Sequence, residues 1–251
     1  MNQKVTSQQN KPNVILIGGD VYYRRLLRDA GKKAIAINAI SDIAKYADDC
    51  AAVMFTGGAD VHPDLYGGTH LNISYVDEQR DRRDITVLDE CRKYGIRATG
   101  ICRGFQFLNV MCGGKMYQHI DKHAGCMHDV LYPATGEVSF VTSTHHQLVS
   151  LPHDAIPIAW SYPNMSKTYI GPYAIEVNGP HHEIESAIFP NKNVFGVQFH
   201  PELMREKSPG RVYYVQILSD FMNLSMNKFI ELYGYSGDEH ERRGKSIEAR
   251  R

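Results

Sequence analysis

The sequence predicts an α/β fold, a mostly parallel sheet with helices on both faces, and three observations carry that expectation. Short, nearly continuous apolar runs recur through the first hundred residues, as strands buried on both faces require. Stretches with helical spacing lie between them. Glycine pairs punctuate the pattern: Gly18-Gly19 and Gly57-Gly58 close two of the runs, and Gly113-Gly114 ends a helix. In order, residues 14–17 form the first strand and residues 22–30 a helix that Gly31 can stop. Residues 34–37 and 51–55 are the next strands, the second running into Thr56-Gly57-Gly58. Ile85, Leu88 and Cys91 give a helix over 83–94, which Gly95 ends. Residues 96–101 form a strand that delivers Cys102, and 105–111 a helix. Beyond about residue 130 the pattern changes to strands without intervening helices, at 137–141, 156–161 and 173–177, a small extra β segment. Residues 194–199 make a further strand and 211–233 one long final helix. Residues 1–12 read as a polar leader and 236–251 as a charged flexible tail, leaving a single domain over 13–235.

Composition narrows the function classes. The chain has 251 residues, enough for one large core, and 28 basic residues balance 28 acidic ones. Zero net charge does not favour a nucleic-acid groove or an anionic membrane as the partner, and it is compatible with a homo-oligomer. No apolar run approaches the roughly 20 residues that span a bilayer. Five cysteines, an odd number without framework spacing, point to a reducing, cytoplasmic setting in which a cysteine is judged by reactivity.

Gly100-Ile-Cys102-Arg-Gly104-Phe-Gln106 falls where a buried strand turns into a helix. A side chain in such a corner is pushed out above the sheet edge, with glycines relieving the crowding around it. The helix N-terminus favours a thiolate, and its free N–H groups can hold an oxyanion. Gly196-Val-Gln-Phe-His200-Pro-Glu202 supplies what such a thiol needs, a base and a carboxylate to orient it. Thr56-Gly57-Gly58-Ala-Asp60-Val-His62-Pro63 could add a second oxyanion donor, although alone it reads as a plain turn.

These segments resemble the class I glutamine amidotransferase superfamily and, within it, the γ-glutamyl-γ-aminobutyrate hydrolase family of γ-glutamyl peptidases. The likeness runs in order through residues 56–67, Arg80-Asp81, 100–106 with Asn109 and Gly113-Gly114, Ser143-Thr-His145-His146-Gln147, Glu183-Ile-Glu185 and 196–202. It implies a flavodoxin-like sheet and a thioester mechanism. Cys102 would be the nucleophile, His200 its base, and Glu202 the group that orients His200. Gly57, Gly58 and the Arg103 backbone would serve the oxyanion, and Gln106 and His146 the substrate end. The substrate would be a small γ-glutamyl amide, and no metal or organic cofactor would be needed. The chain departs from the family in a shorter stretch between Gly114 and His145. It also adds an insertion over 162–180, whose Tyr162, Tyr169 and Tyr173 could wall a leaving-group pocket. The runner-up is a glutaminase subunit supplying ammonia to a separate synthetase; the intact Cys, His and Glu argue against a silent binding protein.

Other features carry less. His119-x-Asp121-x-His123 with Cys126, His128 and Asp129 lacks a tetrahedral ligand spacing. His181-His182 reads as a solvated loop, Arg80-Asp81 as an ion pair steadying the site from behind, and Cys50, Cys91 and Cys112 as core.

Overall fold

The structure, a computed structural model, describes residues 11–235. The tail at 236–251 and all of the leader but Lys11 and Pro12 lie outside these residues. Pro12 is tied in, its carbonyl accepting from the Lys33 backbone N–H at 2.8 Å.

The parallel half of the sheet is built from β1 (Asn13–Ile17), β2 (Lys33–Ile35), β3 (Cys50–Phe55) and β4 (Arg97–Ile101). Around them run α1 (Val21–Asp29), α2 (Ile43–Tyr46), α3 (Glu78–Lys93) and α4 (Arg103–Met111). Then come β5 (Lys115–Tyr117), β6 (His119–Ile120), β7 (Cys126–Tyr132), β8 (Glu137–Ser143) and β9 (Leu148–Ser150). They are followed by β10 (Ile156–Ser161), β11 (Tyr169–Ile170), β12 (Ile184–Phe189) and β13 (Val194–Val197). Helices α5 (Pro209–Asn223) and α6 (Met226–Tyr233) are the last elements among the described residues.

Among the described residues nine strands share one sheet, in the order β2-β1-β3-β4-β13-β12-β10-β7-β8. Strands β2 to β13 of that order are parallel, and from β12 onward each pairing is antiparallel. Two small ribbons, β5-β9 and β6-β11, stand beside it. Alternation along the strands splits the core in two. Val14 and Leu16 face a layer with Leu26 of α1, Tyr214 and Phe221 of α5 and Phe229 of α6. Ile15 and Ile17 face the opposite layer, with Val87 and Leu88 of α3 and Phe105 and Phe107 of α4. The helices therefore cover both faces, as the sequence predicts.

Three expectations need correction. Helix α3 begins at Glu78 rather than at residue 83, because Asp77 caps it by accepting from the Arg80 N–H; the charged first turn hides its start from hydrophobic periodicity. The long final helix is two, since Leu224 is extended and Ser225 caps a new start at the Lys228 N–H. Residues 173–177 are a turn rather than a strand. The Gly171 N–H donates to the Ile175 carbonyl, Ala174 takes a φ of 60°, and only Glu176 makes a bridge, to Ile170. No helix among the described residues is long and apolar enough to cross a membrane.

Candidate active site

Strand β4 is buried throughout and passes directly into α4 at Cys102. Cys102 has φ 51° and ψ −112°, a region that non-glycine residues rarely adopt. Its N–H donates to the Val197 carbonyl at 2.8 Å, and its carbonyl accepts from the Gln106 N–H at 3.0 Å. The elbow is thus tied at once to β13 and to the first turn of α4. A Cβ on Gly100 would overlap the Gly104 backbone, and one on Gly104 would overlap the Phe55 carbonyl. Only glycine permits backbones to approach this closely.

Strand β13 runs beside β4, so the residues after it arrive next to the elbow. The His200 N–H donates to the Thr142 carbonyl at 2.9 Å. His200 Nδ1 lies 2.6 Å from Glu202 Oε1, while its Nε2 has no hydrogen-bond partner. Gly57 faces this group: a Cβ there would sit 3.0 Å from His200 Cε1, 3.1 Å from Tyr23 Oη and 3.8 Å from Cys102 Cβ. Burial opposes a charge on His200, but Cys102 and the Glu202 carboxylate outweigh it and raise the imidazole to about 10.

Tyr23 on α1 belongs to this group, and sequence reasoning missed it because nothing local distinguishes it from a core residue. Its hydroxyl accepts from the Gly57 N–H at 3.1 Å, and burial, with the facing Glu202 carboxylate, holds it well above an ordinary phenol. That hydrogen bond occupies the Gly57 N–H, which the family resemblance assigns to the oxyanion side; Gly58 is the donor left in this loop.

Behind the elbow lies a buried network. The Arg103 side chain donates to both Asp81 and Asp84. Arg80 Nη1 donates to the Gly57 carbonyl and its Nη2 to the Thr56 carbonyl, both at 2.8 Å, and Nε lies 3.4 Å from Asp84. The expected Arg80–Asp81 pair is therefore replaced by two crossed ones, Arg80 with Asp84 and Arg103 with Asp81. They still brace the loop and the elbow from behind. Gln106 is buried, with its amide 3.4 Å from the Gln147 carbonyl, so it packs against the His145–Gln147 segment. His146 reaches the loop instead, Nε2 lying 3.2 Å from Asp60 Oδ2, and that hydrogen bond raises its basicity against partial burial.

The histidine-rich stretch divides. Asp121 caps the Lys167 and Thr168 N–H groups, and the Cys126 thiol points to the Lys122 carbonyl. His123 and His128 come together with Glu185, one ligand atom from each lying within 4.8 Å of the others. His145 and Glu183 complete this cluster. Glu183 and Glu185 are spaced by two along an extended segment, the sequence signal for two carboxylates on one face. Within 162–180, Tyr169 is buried and donates to Glu183 at 2.7 Å, whereas Tyr162 and Tyr173 are exposed. His182 is not simply solvated: its ring stacks on Trp160 at 3.9 Å.

The peptidase C26 family matches residues 6–202. The chain is 27% identical over 187 residues to the glutamine amidotransferase-like protein YvdE of Lactococcus lactis, covering 70% of this chain and 77% of that one. It is 28% identical over 191 residues to protein NtpR of Enterococcus hirae, covering 67% and 74%. Among solved structures it is similar to a GMP synthase component from Thermoplasma acidophilum. The TM-score is 0.57 at 16% identity, over 88% of this chain and 96% of that one. The CTPS glutaminase domain of Trypanosoma brucei gives a TM-score of 0.51 at 9% identity, over 83% and 93%. At these identities the two structures speak to fold alone.

Proposed function

The chain belongs to the peptidase C26 family, a family of hydrolase type, and from that premise we propose that it cleaves a γ-glutamyl amide or isopeptide bond through a thioester at Cys102. The Cys102 sulfur attacks the γ-carbonyl carbon with the thiol's proton held on His200. The tetrahedral oxyanion is held by the Gly58 and Arg103 backbone N–H groups. His200 returns the proton to the departing amine as the C–N bond breaks. Water, deprotonated by the same imidazole, then cleaves the thioester and restores the thiol. Glu202 orients His200 and balances its charge, as the carboxylate of such a group does.

The observation that carries this reading is the positive-φ elbow that puts Cys102 beside His200. Arg80 supports the oxyanion assignment. A trans peptide is planar, with its C=O and N–H opposed. Fixing the Gly57 carbonyl on Arg80 therefore aims the Gly58 N–H the other way, out of the bracing network. The substrate class rests on the Cys-Arg-Gly-x-Gln and His-His-Gln segments.

A panel of γ-glutamyl amines, with glutamine included and mass detection of the acyl-enzyme, tests the proposal. Wild-type protein is expected to gain a glutamyl adduct on Cys102 and to release the amine; Cys102→Ala should fold and do neither. Hydrolysis by Cys102→Ala would refute the nucleophile. Acylation by glutamine alone, with every other γ-glutamyl amine inert, would favour the glutaminase reading that the amidotransferase-like relatives suggest.

A further inference from the structure

We propose that His123, His128, His145 and Glu185 form a closed structural site for one divalent transition-metal ion of the zinc type. Glu185 Oε1 lies 3.4 Å from His123 Nδ1, 3.3 Å from His128 Nε2 and 3.2 Å from His145 Nε2. Metal–ligand bonds of about 2.0–2.1 Å in a tetrahedron put neighbouring ligand atoms about 3.3–3.4 Å apart. The three separations from Glu185 match that edge; His123, His128 and Glu185 form the compact group, and His145 joins it as fourth ligand through a larger movement of its ring. The ligand atoms of His123, His128 and Glu185 also lie within 4.8 Å of one another, close enough to share an ion after a small inward movement.

The surrounding hydrogen bonds set the imidazoles as ligands. His123 Nε2 lies 3.1 Å from Glu183 Oε2, so a neutral ring with its proton on that nitrogen offers the Nδ1 lone pair to the cluster. His145 Nδ1 lies 2.9 Å from the Gln147 carbonyl and its Nε2 3.2 Å from Glu185 Oε1, so a neutral ring with its proton on Nδ1 turns the Nε2 lone pair to the cluster. A carboxylate and a backbone carbonyl that accept from the far nitrogens of ligating histidines are the usual second layer of a metal site. In these tautomers two imidazole nitrogens and the Glu185 carboxylate turn lone pairs toward one another in a buried cluster, which is costly unless a cation lies between them. Four polar atoms here are buried without a hydrogen bond: His123 Nδ1, both His128 nitrogens and Glu185 Oε2. Hydrogen bonding among the side chains has not satisfied the cluster.

All four ligands are at most 3% exposed, which suits a closed structural site more than a catalytic one with an open position. Imidazole with carboxylate and no thiolate selects the zinc class over copper(I). The ion would join β7, through His128, to β12, through Glu185, and both to the segment whose next residue, His146, contacts Asp60. Its role would be to fix that wall of the site; the hydrolysis proposed above does not pass through it.

The full chain, stripped with a chelator and reloaded with zinc or cobalt(II), tests this by metal analysis after gel filtration, cobalt absorption and thermal melting. One equivalent per chain, tetrahedral cobalt bands and a higher melting temperature with zinc are expected. His128→Gln should lose stoichiometric binding, and Glu183→Gln, which leaves every ligand in place, should weaken it about 10–100-fold. If His128→Gln does not fold, the affinity of Glu183→Gln decides. Wild-type protein that takes up no stoichiometric metal and melts at the same temperature with or without zinc would overturn the proposal. So would full-affinity binding by the Glu183→Gln variant.

Discussion

His200 and Glu202 meet through one nitrogen only: Nδ1 lies 2.6 Å from Glu202 Oε1, and Nε2 is left without a hydrogen bond beside Cys102. That division of the ring suits a base held by one edge and working with the other. In the proposed mechanism His200 moves the proton, while Glu202 only orients and stabilises the ring. His200→Asn is therefore expected to lower single-turnover acylation more than Glu202→Gln, by roughly a further 10–100-fold. A Glu202→Gln variant slower than His200→Asn would reverse the two roles.

The same contact predicts a pH dependence of stability. The folded His200 imidazole stands at about 10, above its ordinary 6.5. A raised value means that its protonation stabilises the fold fully below pH 6.5 and progressively less as pH rises, with nothing left above about 10. The melting-temperature difference between wild type and His200→Gln should thus be largest below pH 6.5 and close as pH approaches 10. A difference that stays constant across that range would show that the imidazole is neutral in the fold.

How much of this was legible depended on which residues filled the inward positions. Apart from Arg97 at the start of β4, strands β1, β3 and β4 carry apolar or small side chains inward, so their runs are nearly continuous and the elbow could be placed from Gly100 and Gly104. Strand β7 hides because one of its inward positions is His128, and β12 because it buries Glu185. Polar side chains at core positions break the alternation that marks a half-buried strand. The antiparallel half was least readable where it carries the His–Glu cluster. Tyr23 was illegible for a different reason: its hydroxyl meets Gly57 across 34 positions of sequence, and no local pattern reports that distance.

Tyr23→Phe tests that long-range contact. The substitution leaves the ring in its core layer and removes only the oxygen that accepts from Gly57. A fully buried N–H left unpaired costs about 1–3 kcal/mol, and the partly buried Gly57 N–H should fall at the low end of that range. Chemical denaturation should show a loss of that size, and acylation should slow as the loop loosens. Tyr22→Phe is the control, since Tyr22 is exposed and its loss should stay within about 0.5 kcal/mol. Equal stability of the two variants would remove Tyr23 from the group.

Arg80→Lys separates the bracing of the fold from the aiming of the oxyanion donor. Arg80 holds the Thr56 and Gly57 carbonyls with two nitrogens of one planar fork, while its Nε faces Asp84. Lysine keeps the charge near Asp84, but a single ammonium cannot fix both carbonyls in one plane. Asp84 also retains Arg83 and Arg103, so the buried carboxylate is not left unpaired and the fold should persist. What is lost is the orientation of the peptide between Gly57 and Gly58. If that peptide supplies an oxyanion donor, its removal costs about 10²–10³ in kcat. The loss should fall on kcat more than on KM, because the donor acts on charge that develops only in the transition state. An aldehyde that adds to Cys102 and mimics the tetrahedral oxyanion should bind the variant more weakly by a similar factor, while an unreactive γ-glutamyl analogue binds both proteins alike. A variant with a lowered melting temperature but wild-type kcat and unchanged aldehyde affinity would show that Arg80 serves the fold alone.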